Sequence, residues 1–125
     1  MAAEWSAWSD ATSEKSARNV ATRLLRQLGR PADQLTCAPY PQTGGWTFPF
    51  HTLLEGARWN DYVVDVIALG QRVASAWTLS GDVGHSPEGW STKSRISGVT
   101  AIQWWLQTPG QADAGGGEAT MLISK

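Results

Sequence analysis

Eight tryptophans in a chain of 125 residues are the feature that most constrains how this sequence folds. Leu, Ile, Val and Phe together make up only about 18% of the chain, a level at which a highly charged sequence stays unfolded. Each tryptophan buries roughly 150–250 Å² and so supplies apolar area that the aliphatic residues do not. We predict a single globular domain over residues 1–125, because two domains would each have too small a core.

The charged residues exclude several classes of partner. Ten Lys and Arg oppose eleven Asp and Glu, for a formal net charge of −1. A near-neutral chain without a basic block lacks the attraction to phosphates that drives most nucleic-acid binding, so we expect no nucleic-acid partner. Cys37 is the single cysteine, which excludes an internal disulfide and fits a reducing compartment. With neither a signal peptide nor a membrane-length apolar run visible, we expect a cytoplasmic protein without a membrane partner.

The clearest periodic segment predicts an amphipathic helix over Thr12–Leu28. Its apolar positions recur at helical spacing, at Ala17, Val20, Ala21, Leu24 and Leu28. Gly29 and Pro31 supply a C-terminal stop. Trp5 and Trp8 precede this helix at a spacing of three, which fits either a short helical turn or an arm that packs on the core.

Two later segments alternate with the period of a β-strand. The first places three rings on one side, those of Trp46, Phe48 and Phe50. Pro49 lies among them and predicts an edge strand, because proline cannot donate to a ladder. The second covers residues 100–106 and directs Trp104 and Trp105 to opposite faces. Residues 109–118 are glycine-rich and predict a loop, after which residues 119–124 are predicted to form a last strand.

The segment Tyr62–Leu79 permits two interpretations. Gly70 and Gln71 can form a type II′ turn, and the resulting hairpin pairs mostly apolar residues on one face. The alternative is one helix over residues 61–78 capped by Asn60. Gly70 and the β-branched residues before it favour the hairpin. The whole chain then predicts an α+β fold, with the N-terminal helix packed on a mainly antiparallel sheet of about five or six strands.

No motif predicts catalysis. A catalytic dyad would combine Cys37 as nucleophile with His51 or His85 as base, but no spacing in the sequence favours either histidine. Asp61 and Asp65 share a face of a helix or of a strand, which is more typical of a solvated surface than of an acid and base pair. P-loop, EF-hand and zinc-site spacings are absent from the sequence. We expect no enzyme activity, no catalytic residue, no metal and no cofactor.

A surface for binding a protein is the remaining candidate site. The hairpin register places Asp65, Val63 and Ile67 on the same sheet face as Trp105. Residues 55–90 carry five acidic residues against two arginines, and acidic groups around an aromatic patch attract a basic protein. The candidate partner-binding residues are Trp59, Asp61, Asp65, Asp82, Trp90 and Trp105.

Two stretches in the second half of the chain resemble a known group of proteins. The first runs from Trp59 to Val83, beginning WNDYVVDV and ending WTLSGDV, and the second is Ile96–Leu106 (ISGVTAIQWWL). In style they are similar to the small, tryptophan-rich immunity proteins encoded beside bacterial polymorphic or contact-dependent inhibition toxins. The resemblance implies a non-enzymatic, cytoplasmic antitoxin that neutralises one cognate toxin domain, commonly a basic nuclease, by covering its active site or an adjacent surface. The alternative is a small-ligand or carbohydrate-binding module that stacks its ligand on Trp46, Trp59 or Trp90.

Overall fold

The computed structural model describes residues 1–108, in which eight strands and two helices form. The strands are β1 (Ala2–Ser9), β2 (Ala38–Tyr40), β3 (Gly45–Leu53), β4 (Ala74–Ser75), β5 (Thr78–Ser80), β6 (Glu88–Ser91), β7 (Lys93–Ser94) and β8 (Val99–Trp105). The helices are α1 (Glu14–Leu28) and α2 (Trp59–Val73). The loop and the last strand that we predict for residues 109–118 and 119–124 lie outside the described residues.

Six strands form one antiparallel sheet in the order β2-β3-β1-β8-β6-β5. β1 lies near the middle, where Trp5 pairs with Phe50 of β3 on one side and with Trp104 of β8 on the other. β4 and β7 form a separate two-stranded pair. The predicted α+β class and the number of strands in the main sheet are confirmed, although the chain begins with β1 and a second helix accompanies α1.

Helix α1 forms where the apolar periodicity predicts it. The Ser13 side chain accepts a hydrogen bond of 3.1 Å from the backbone N–H of Ser16, which satisfies one of the free amides of the first turn. Gly29 ends the helix in the left-handed region, with φ of 73°. The residues that the helix buries are the five predicted ones, Ala17, Val20, Ala21, Leu24 and Leu28.

The helical turn predicted at Trp5 and Trp8 is wrong, since both lie in β1, but the alternative of packing on the core is correct for Trp5. A spacing of three on a strand places two side chains on opposite faces. Trp5 is accordingly 1% exposed, whereas Trp8 is half-buried on the other face. The physical reason is that β1 pairs with a strand on each side, so its backbone groups are satisfied in the sheet.

The preferred hairpin over Tyr62–Leu79 is also wrong, because most of this segment is α2. The alternative helix is correct in kind, although α2 begins after Arg58 and ends at Val73. Gly70 belongs in the helix because a Cβ there would lie 3.1 Å from the Trp77 ring and 3.4 Å from the Trp104 indole nitrogen. The glycine thus costs helix propensity but permits close packing of two tryptophans.

Both helices contribute to one core on the same side of the sheet. The Trp5 ring stacks on Phe50 with centroids 5.9 Å apart, and its indole N–H donates to Thr52 Oγ1 at 2.9 Å. Trp104 is 1% exposed and packs over Gly89, where a Cβ would come within 2.7 Å of the indole. The sparse aliphatic content is thereby offset by fully buried aromatic rings.

Our prediction that Pro49 marks an edge strand is wrong for β3 as a whole, which lies between β2 and β1. β2 pairs only with residues 45–47, so Pro49 lies beyond the end of that ladder. The Pro49 carbonyl accepts a hydrogen bond from the Thr36 N–H on this side. Proline is tolerated because its missing N–H points to the side where no regular pairing occurs.

Candidate functional site

The sheet has a second face, which points away from α1 and α2 and which we call the outer face. Trp104 and Trp105 divide between the two faces as predicted: Trp104 is buried in the core, and Trp105 is half-buried on the outer face. The strand pairings place these side chains on the outer face: Glu4, Ser6, Trp8, Tyr40, Thr47, Pro49, His51, Glu88, Trp90, Ala101, Gln103 and Trp105. The outer face is therefore rich in aromatic rings.

Three of these rings, which come from β1, β2 and β6, form one cluster. The Trp8 centroid lies 5.5 Å from that of Trp90 and 6.3 Å from that of Tyr40. The ring planes meet at 60° and 73°, which is the edge-to-face arrangement that aromatic pairs favour. Trp90 remains 42% exposed. We call Trp8, Tyr40 and Trp90 the aromatic cluster.

A groove of about 460 Å³ runs beside the aromatic cluster. Its lining residues are Trp8, Ser9, Asp10, Tyr40, Thr43, Trp90, Thr100 and Ala101. Ala101 pairs with Trp8 across the ladder. Its side chain is small, which leaves space in the groove beside the larger side chains that line it. The register between β1 and β8 shifts beside this pair, and the Thr100 hydroxyl donates to the Trp8 carbonyl at 3.3 Å. This irregularity places an extra residue at the groove.

The charges of the main sheet all have one sign at neutral pH. None of its six strands contains Lys or Arg, and its acidic residues are Glu4 and Glu88. Both pair with Trp105, one from each side, and the Gln103 amide donates to the Glu88 carboxylate at 3.1 Å. In contrast, α1 on the opposite side of the sheet carries four basic residues, Lys15, Arg18, Arg23 and Arg26. The outer face is thus aromatic and acidic, while cations lie on the helical side.

On the outer face the structure brings together two of the predicted partner-binding residues. Trp90 and Trp105 share the outer face on adjacent strands. Trp59 begins α2, packs against the core and donates its indole N–H to the Val83 carbonyl at 2.8 Å. The Asp82 carboxylate accepts from the Gly84 N–H at 2.8 Å within the loop between β5 and β6.

The hairpin register predicted that the acidic residues share a sheet face with Trp105, and this prediction is wrong. Asp61 and Asp65 both lie on α2. The Asp61 carboxylate accepts from the backbone N–H groups of Ala57 and Arg58 at the start of the helix. Asp65 forms a two-point ion pair with Arg30, in which Nη2 lies 3.3 Å from Oδ1. Each aspartate thus has a structural role on the helical side of the sheet.

The ion pair between Arg30 and Asp65 is largely shielded, with side chains 13% and 15% exposed. Burial alone would raise the pKa of Asp65. The hydrogen bonds from Arg30 and from the Glu55 backbone, together with the charges of Arg30 and Arg72, outweigh burial and hold the pKa below its ordinary value of 3.8. Asp65 therefore links the middle of α2 to the segment that follows α1.

We expect Asp65→Asn to lower the free energy of unfolding by about 2 kcal/mol at pH 7, because it removes the shielded partner of Arg30 and leaves that charge only the exposed Glu55 carboxylate. Since the folded-state pKa of Asp65 is lowered, its contribution is complete above pH 3.8 and is lost as the pH falls through the lowered pKa. Urea unfolding of both proteins at pH 7 and pH 3 measures this, and the difference should shrink at pH 3. Glu14→Gln, which breaks an exposed pair with Arg18, should lower the free energy of unfolding far less, because solvent screens that pair. Equal losses for both variants would contradict the structural role of Asp65.

Sequence reasoning missed Trp8 and Tyr40. The signal for Trp8 is present in β1, where Ala3, Trp5 and Ala7 alternate with more polar residues and so indicate a strand. Tyr40 lies in a three-residue strand whose position depends on its pairing with β3, and no local pattern predicts it. Trp46, a proposed ligand platform, instead packs against the core.

Neither a metal site nor a nucleophilic dyad is supported by the described residues. In residues 1–108, no three His, Cys, Asp or Glu side chains come together as metal ligands. Burial raises the pKa of the Cys37 thiol, which disfavours the thiolate that a nucleophile needs. No helix in this range is long and apolar enough to cross a membrane.

Comparisons of the chain with family models, with curated proteins and with solved structures returned no match. The arguments for function therefore come from the outer face itself.

Proposed function

We propose that this chain is a binding protein whose outer face docks on a basic protein domain, and that this domain is a cognate bacterial toxin that the chain neutralises. The observation that carries the proposal is the aromatic cluster of Trp8, Tyr40 and Trp90 on a sheet face whose strands contain no Lys or Arg. The resemblance to immunity proteins in sequence style supports the choice of a toxin. The chain has no catalytic role in this proposal.

The composition of the outer face suits a protein interface. Trp and Tyr are enriched among residues that dominate binding energy, and charged residues are depleted at the centres of interfaces. Trp8 and Trp90 project from paired strands, so little backbone entropy is lost when they are covered. Trp90, at 42% exposed, has a large ring surface left to bury. A rigid aromatic patch of this kind favours a protein partner.

The charge distribution favours a basic partner. Glu4 and Glu88 flank Trp105, whereas the basic residues of α1 lie on the other side of the sheet. An approaching cationic domain is attracted to the outer face and repelled from the helical side, which orients the encounter. Nuclease toxins bind phosphates through basic surfaces, so such a toxin matches this field.

Coexpression with the toxin candidate tests the proposal. The candidate is the C-terminal domain encoded by the reading frame directly upstream. We expect that domain to inhibit growth when expressed alone, and coexpression of this chain to restore growth and yield a stable complex. An upstream domain that is harmless, or one that stays toxic and unbound beside the folded chain, would refute the immunity function.

We also expect that replacing both Glu4 and Glu88 by Gln slows association with the toxin domain about fivefold at low salt, with a smaller effect at 0.5 M salt, because steering is screened. Stopped-flow tryptophan fluorescence measures the rate. Replacing Glu14, which lies on α1, by Gln is the matched control and should leave the rate unchanged. Equal rates for all three proteins would exclude steering by the outer face.

A further inference from the structure

We infer that the groove beside Trp8, Tyr40 and Trp90 is an aromatic cage for an arginine side chain of the protein partner, with Asp10 as the counter-charge. The inference rests on the proposed function, since the arginine belongs to the docked domain. It adds the chemical group that the outer face recognises and the residues that recognise it.

The ring geometry is the first argument. Trp90 and Tyr40 stand at 60° and 73° to the Trp8 plane, with centroids 5.5 Å and 6.3 Å from that of Trp8. Rings at these angles wall a concave space instead of forming one flat platform. A cation within about 6 Å of several ring centroids is attracted by each of them, and Trp gives the strongest attraction. The cluster therefore has the form of a site for a compact organic cation.

Charge is the second argument. The exposed Asp10 carboxylate is the only charged group among the groove residues, and no Lys or Arg in residues 1–108 forms an ion pair with it. Its backbone is fixed, because the Asp10 N–H donates to the Gly98 carbonyl at 3.3 Å. A cation that enters the groove meets aromatic faces and a carboxylate, and no charge within the groove opposes it.

Arginine fits the remaining surface better than lysine. Its guanidinium is planar, stacks on aromatic faces and is weakly hydrated, so entering the half-buried groove costs less than it does for an ammonium. Thr43 and Thr100 line the same space, and a hydroxyl oxygen has two lone pairs, so each can accept from a guanidinium N–H beside its existing hydrogen bond to the backbone. Ala101 lines the groove with a small, buried side chain, which leaves room for the arginine side chain beside the contacting Trp8 and Trp90 rings.

A pair of matched peptides tests the cage without the toxin. The probes are acetyl-Gly-Arg-Gly-amide and the same peptide with citrulline, a neutral isostere of arginine, each titrated at constant ionic strength into the full chain. Indole N–H signals in nuclear magnetic resonance spectra report binding. We expect the arginine peptide to shift the Trp8 and Trp90 signals saturably, with a dissociation constant at least fivefold lower than that of the citrulline peptide.

Variants assign the effect to the groove. Asp10→Asn should weaken arginine binding about threefold to fivefold and leave the citrulline peptide unaffected. Asp33→Asn changes an exposed aspartate outside the groove and should change neither constant. Ala101→Leu fills the groove and should abolish the shifts. Unchanged spectra outside the groove show that each variant is folded.

The outcomes separate the cage from the proposed function. Equal binding of both peptides, or stronger shifts with methyl glucoside than with either, overturns the cage, even where the toxin complex forms normally. Selective binding of the arginine peptide by a chain that forms no complex with the upstream domain supports a cation site and removes the proposed function.

Discussion

Trp104→Ala should lower the free energy of unfolding by about 4 kcal/mol, the largest stability loss that we expect from one substitution. The Trp104 ring is 1% exposed and fills the space over Gly89 and beside Gly70, neither of which has a side chain to move into a void. The change removes buried apolar area and leaves a cavity between α2 and the sheet. Urea unfolding monitored by circular dichroism measures the loss.

The adjacent Trp105 is the matched control, because the same residue type on the same strand lies on the other face. Trp105→Ala should cost about 1 kcal/mol, since its ring is half-buried and does not belong to the core. A similar loss for Trp104→Ala and Trp105→Ala would show that the two faces are equally packed, and the outer face would then be no candidate interface.

Trp90→Ala should weaken binding to the toxin domain by at least 2 kcal/mol, which is about thirtyfold in the dissociation constant. Trp90 is the most exposed ring of the aromatic cluster, at 42%, and its contact with Trp8 holds it in place before binding. Losing it removes a preorganised anchor and one wall of the groove. Isothermal titration calorimetry measures the change in affinity.

The free energy of unfolding of Trp90→Ala should fall by less than about 1 kcal/mol, so a loss of affinity would not reflect unfolding. Trp59→Phe is the matched control, because Trp59 packs against the core at the start of α2, outside the aromatic cluster. A dissociation constant that stays unchanged in Trp90→Ala would place the interface elsewhere on the molecule.

The sequence predicts elements whose stability depends on local periodicity. The apolar spacing of α1, its stop at Gly29 and the alternation in β8 are each visible without tertiary contacts. Helix α2 is predicted only as the less favoured of two interpretations, because β-branched residues and Gly70 disfavour an isolated helix. Its formation depends on packing against Trp77 and Trp104, which are distant from the helix start in sequence.

The same distinction holds for the site. Trp90 and Trp105 were candidates from residue type, and the alternation of β8 predicted the face of Trp105. Asp65 was misplaced because its role depends on Arg30, whose position no periodicity specifies. Trp8 joins Tyr40 and Trp90 only through the order of strands in the sheet, which the sequence does not reveal.

The pairing of β1 with β8 makes completion of the sheet a late event in the synthesis of this domain. Glu4 of β1 pairs with Trp105 of β8. The backbone groups on that side of β1 therefore have no strand partner until β8, the last described strand, has been translated. Contacts between such distant segments slow folding. During this interval β1 exposes unpaired backbone and two tryptophans, and a nascent chain in that state is prone to aggregate.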